Sequence, residues 1–81
     1  MKTTLKNTHV SIEYRETEKE IFAQDLDDKN NFPAMYTKSK RGLKAGWEAI
    51  QELFTPDVRL FDVINILRDY NIKTHYWCMM D

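Results

Sequence analysis

The chain has 81 residues, 42% of them hydrophobic and 31% charged, with acids and bases nearly balanced at a net charge of −1. That length suits one domain, residues 1–81, and the apolar share with its ten aromatic rings excludes a chain that is disordered throughout. A lone cysteine, Cys78, excludes an internal disulfide or a thiolate cluster for zinc, and the opening MKTTLKNTHV has no apolar core of the signal-peptide kind.

A soluble, cytoplasmic protein is therefore expected, and its longest apolar run, YWCMM, is too short for a membrane span. Residues 1–7 carry no assigned element and are where disorder is expected first. Val10, Ile12 and Tyr14 alternate with Ser11, Glu13 and Arg15, the period of a strand with one buried face. The following ETEKEIFAQDLDDKNN leaves two readings open. Thr17 and Glu20 have capping-box spacing for a short helix over 17–27, whereas the alternation of Ile21 and Ala23 with Phe22 and Gln24 favours a hairpin, its second strand at about 19–25. The hairpin is the preferred reading. DDKNN is loop composition, and FPAMYT reads as a short third strand with Pro33 at its start, where a missing N–H is tolerated.

From Ser39 the period becomes helical, with Leu43, Trp47, Ile50 and Phe54 on one stripe that Leu53 widens. Thr55, Pro56 and Asp57 form a second helix start as N-cap, first helical residue and dipole-facing acid. Leu60, Val63, Ile64, Leu67 and Tyr70 line that helix, and the flanking Phe61 and Ile66 imply packing on more than one side. Asn71 is its stop signal, and IKTHYWCMM is the last strand. The order β-β-β-α-α-β predicts an α+β domain: a mainly antiparallel sheet of three to four strands with two helices on one face.

Charge is segregated along the chain. Residues 13–28 hold seven acids against Arg15 and Lys19, a net of −5, and residues 29–46 hold five bases and no acid. Neighbouring solvated surfaces that neutralise each other are the first reading, and a dipolar surface that orients a partner is the second.

Both glycines of the chain, Gly42 and Gly46, fall in SKRGLKAGWEA. Each costs a helix about 1 kcal/mol relative to alanine, so a steric reason is expected. A smooth strip of Gly42, Gly46 and Ala49 would let the first helix approach its neighbours, and only Gly46 needs that account if Gly42 precedes the helix. A competing reading makes Lys38, Ser39, Lys40, Arg41 and Lys44 an anion- or partner-binding site at a helix N-terminus. The spacing GxxxxGK[ST] of a P-loop is absent.

Catalysis finds no motif. His75 and Cys78 point to opposite faces of one strand, so they cannot pair as base and nucleophile. His9 would approach His75 only if the first and last strands paired, and no metal or cofactor is expected. On the last strand, Ile72 and Tyr76 facing the helices would leave His75, Trp77 and Met79 on the open face, as an interface patch or a stacking platform. The opposite register would put Trp77 in the core.

These features predict a non-catalytic protein that binds a protein partner as a small regulator, adaptor or inhibitor, a description that phage- and plasmid-encoded inhibitors share. Glu16, Glu18 and Glu20 would serve as nucleic-acid-like acids, with His75, Trp77 and Met79 as a second contact. The alternative is nucleic-acid binding through the basic helix start. The chain would act as monomer or homodimer.

Overall fold

The computed structural model describes residues 3–28 and 33–77, the side chain of Trp77 excepted. Alternation sets the sheet. Strands β1 (Thr4–Lys6), β2 (Val10–Arg15), β3 (Glu20–Asp25), β4 (Ala34–Thr37) and β5 (Thr74–Trp77) pair in sequence order, every pair antiparallel. Helices α1 (Leu43–Leu53) and α2 (Leu60–Asp69) lie between β4 and β5. The α+β architecture is as the sequence predicts, with one more strand. Leu5 is the reason: it pairs opposite Ile12 and joins the core, so a three-residue segment too short to show a period still earns a place at the edge.

The segment after β2 is the returning arm of a hairpin, not a helix. Every residue from Val10 to Arg15 faces a partner from Glu20 to Asp25, and Lys19 takes a positive φ of 53° in the turn. Pro33 opens β4 as expected, accepting a hydrogen bond from the Asp25 N–H at 2.9 Å. Where the β3–β4 ladder ends, the buried Thr37 hydroxyl accepts from the Ile21 N–H at 3.0 Å, so a side chain supplies the acceptor for a buried backbone donor.

Val10, Ile12, Ile21, Ala23 and Met35 present one apolar sheet face to the helices, which return Trp47, Ile50, Leu60, Val63 and Leu67. Trp47 is fully buried and stacks on Tyr14 with ring centroids 5.6 Å apart. Helix α2 packs against both the sheet and α1, as its wide stripe implies, with Ile66 set against the core, whereas Leu53, Phe61 and Tyr70 are exposed. Helix α2 also starts later. Thr55 to Val58 form a turn, with the Thr55 hydroxyl accepting from the Asp57 N–H, and the helix begins after Arg59, whose N–H donates to Asp62 Oδ2 at 2.9 Å. Asn71 stops it with a φ of 59°, as the sequence predicts.

The two glycines have different reasons. Gly42 precedes α1 with φ at 77°, in the left-handed region that side-chain-bearing residues avoid. Gly46 lies inside the helix, where an added Cβ would sit 2.6 Å from Ile72 Cδ1 and 3.1 Å from Leu67 Cδ2. The close-packing reading therefore applies to Gly46 alone.

Asn7 fastens the sheet to the helical layer. Its carboxamide nitrogen donates to the Thr55 and Val58 carbonyls at 2.9 and 2.8 Å, and its oxygen accepts from the His9 and Val10 N–H groups at 2.7 and 2.8 Å. Among the described residues no helix is long and apolar enough to cross a membrane.

Candidate functional site

Because the helices cover one face of the sheet, alternation sends every second residue to the other. Register then lines those residues up across the strands. Thr4 faces Glu13, Glu13 faces Phe22, Phe22 faces Tyr36, and Tyr36 faces His75, one row running from edge to edge. Three neighbouring positions in it are aromatic. The Tyr36 and His75 rings lie 5.1 Å apart, tilted by 45°, and the Arg15 guanidinium sits 4.4 Å from the centre of the Phe22 ring. Phe22 and Tyr36 are half-buried and His75 is exposed.

Arg15 is held over Phe22 by two carboxylates, Glu13 at 3.3 Å and Glu20 at 3.0 Å. The hydrogen bond to Glu13 outweighs the opposing desolvation and, with the Glu13 charge and the weaker help of Glu20, raises the guanidinium pKa above its ordinary value. A fixed cation on an aromatic face flanked by acids is thus built into one end of the row.

The last strand adopts the register with Ile72 in the core and Tyr76 on the helix side, where its ring meets Phe61 of α2 at 5.3 Å. His75 accordingly stands on the open face. The Trp77 side chain, together with Cys78, Met79, Met80 and Asp81, lies outside the described residues, and so does Lys29. Sequence reasoning missed Phe22 and Tyr36 as surface residues. Their signal was present in the alternation of β3 and β4, but a five-residue row across four strand pairings is visible only once the register is known.

The charged blocks are divided by the fold. Glu16 and Glu18 are exposed in the β2–β3 turn and Glu20 is tied to Arg15 on the open face, whereas Asp25, Asp27 and Asp28 lie at the other end of the hairpin. Lys40 and Lys44 border a cleft of about 350 Å³ with Glu16, Lys19 and Tyr14, so acid and base do stand beside each other there. The Ser39 hydroxyl accepts from the Lys73 N–H at 3.1 Å, and Lys38 faces a separate cleft of about 580 Å³ with Arg68, Asn71, Ile72, Lys73, Thr74 and His75. Arg41 is exposed.

The first and last strands occupy opposite edges of the sheet, so the condition for His9 to approach His75 is not met. His9 instead bonds Asp27 through Nδ1 at 2.8 Å, with Arg59 3.6 Å from the same carboxylate. Among the described residues no group of three or more histidine, cysteine, aspartate or glutamate side chains could hold a metal ion. Comparison with protein-family models, curated proteins and solved structures finds no match to this chain.

Proposed function

We propose that this protein is a non-catalytic docking module that works by binding a protein partner through the open face of its sheet, as a small regulator, adaptor or inhibitor. The observation that carries the reading is the row Phe22, Tyr36, His75 with Arg15 over its end, on the face the helices leave uncovered. Aromatic residues and arginine are the types enriched where protein interfaces bury their centres, and a few such side chains supply most of the binding energy. Cross-strand aromatic pairing alone stabilises a sheet by about 0.2–1 kcal/mol per pair, which accounts for neighbours touching but not for a half-buried row that ends on the exposed His75 and carries a cation over Phe22. Glu16 and Glu18, exposed at the adjoining turn, supply an acidic rim suited to a basic partner.

The test is affinity capture from nuclease-treated lysate with the wild type, a Tyr36→Ser/His75→Ser variant and a Lys44→Glu control. A discrete protein retained by wild type and control but lost by the double variant supports the reading. Equal capture by all three, with the double variant shown to be folded by circular dichroism, refutes it.

A further inference from the structure

We propose that the cleft between the end of α2 and the start of β5 is a binding site for the phosphate group of a nucleotide-class ligand. Lys38, Arg68 and Lys73 line it together with Asn71, Thr74 and His75, and no carboxylate is among its lining residues. Among the described residues none of the three cations has an ion-pair partner. Three positive charges without an ion-pair partner among the described residues thus line one cleft, on a chain whose net charge is −1, and an anion entering it is attracted by all three.

The cleft is built on fixed backbone. The Lys38 N–H donates to the Lys73 carbonyl at 2.8 Å and the Lys73 N–H donates to Ser39 Oγ, so the two lysines are held by a closed pair of bonds between the β4 exit and the β5 entry. Arg68 is brought in by the last turn of α2, whose end is locked by the Asn71 N–H on the Arg68 carbonyl at 2.9 Å and by Ile72 buried in the core. The negative end of the helix dipole explains a cation at Arg68 without any ligand. It does not explain Lys38, which follows β4, or Lys73, which precedes β5. Guanidinium and ammonium groups together suit phosphate oxygens, the first as a planar fork and the others as point charges.

An aromatic base is implicated by what borders the cleft. His75 belongs both to the cleft lining and to the open-face row, with Tyr36 5.1 Å from it, so a ring attached to the bound phosphate would find π-faces within reach. The phosphate contacts rest on Lys38, Arg68 and Lys73 and not on Phe22 or Arg15, whereas the base contact shares Tyr36 and His75 with the protein-docking row.

The experiment follows the backbone amide resonances of the full chain, at low salt, during titration with inorganic phosphate, adenosine monophosphate and a single-stranded oligothymidylate. The expected result is shifts centred on Lys38, Arg68, Asn71, Lys73 and His75, with the mononucleotide bound at least about fivefold tighter than phosphate because of its base. An oligonucleotide affinity well above that of the mononucleotide, falling with salt at a log–log slope of about −2 for three phosphate contacts, assigns the ligand as a strand, and equal affinities assign a free nucleotide. Lys38→Glu/Lys73→Glu should weaken binding by about tenfold or more, Lys40→Glu/Lys44→Glu by less than about twofold, with Lys38→Gln/Lys73→Gln replacing the first variant if charge reversal disturbs folding. The proposal is overturned by the absence of shifts up to about 10 mM of each probe, by equal affinity for phosphate and mononucleotide, or by shifts that survive both Lys38/Lys73 variants.

Discussion

Asn7→Ala tests whether one side chain couples the sheet to the helical layer. The substitution removes four hydrogen bonds at once, two to the carbonyls of Thr55 and Val58 and two from the N–H groups of His9 and Val10. Three of these are part-buried and the Thr55 bond is exposed, so water replaces the last at small cost. At a net of about 1 kcal/mol for each of the others, and somewhat more where a group is left unsatisfied, the loss should be about 2–4 kcal/mol. A domain of this size has about 5–15 kcal/mol in all, and the melting temperature should fall by roughly 10–25 °C. Urea and thermal unfolding followed by circular dichroism measure it. Asn7→Asp adds discrimination: it keeps the acceptor for His9 and Val10 but sets carboxylate oxygens against two carbonyls, so it should be no better than alanine. A loss below about 0.5 kcal/mol for Asn7→Ala, or an aspartate variant equal to wild type, would refute the coupling.

Gly46→Ala should destabilise by about 1 kcal/mol, overpacking against Ile72 and Leu67 outweighing the gain in helix propensity, and the cost should shrink in an Ile72→Val background, where the offending Cδ1 is gone. Gly42→Ala should cost about 1–2 kcal/mol for the unrelated reason of its positive φ, with nothing within 4 Å of the added Cβ, and Gly42→Asn should recover part of it. An Ile72→Val background that changes the Gly42 cost and not the Gly46 cost would invert both assignments. Thr37→Val, nearly isosteric, should cost about 1–3 kcal/mol by stranding the buried Ile21 N–H, and a neutral result in chemical denaturation would show that the hydroxyl is dispensable.

The elements that were legible in the sequence are those whose period lasts long enough to be read. Val10 to Arg15 alternates over a full strand, Leu43 to Ile50 and Leu60 to Leu67 repeat at helical intervals, and the structure places all three accordingly. Strand β1 was not legible because Leu5 is its one buried residue, and a period needs two. The start of α2 was misread because Thr55-Pro56-Asp57 has the chemistry of a cap and uses it in a turn instead, four residues early. At the candidate sites, sequence could group residues only by nearness along the chain. Lys38 and Lys40 are neighbours there, yet they face different clefts, and Lys38 shares its cleft with Arg68 and Lys73 from beyond both helices. Likewise His75 was singled out from its own strand, while Phe22 and Tyr36, its partners in the row, come from segments that pairing alone brings beside it.

The position of β5 in the sheet sets how the molecule closes. Strands β2 and β3 are joined through a four-residue turn, whereas β4 meets β5 only after both helices have been laid down. For a flexible chain, closing the longer loop costs about 2 kcal/mol more in entropy than closing the turn, a difference that docking of α1 and α2 must offset. The β4–β5 ladder should therefore close later than the β2–β3 hairpin during folding, an order that pulse-labelling hydrogen exchange would read. His75 stands on that ladder and Lys73 immediately before it, so anything that binds both also clamps the β4–β5 seam. A ligand occupying this edge at a hundred times its dissociation constant would add about 2.7 kcal/mol to the folded state. Recognition here would be felt as a slower opening of the whole sheet edge, and thermal stabilisation would report a ligand whose chemistry is not known in advance.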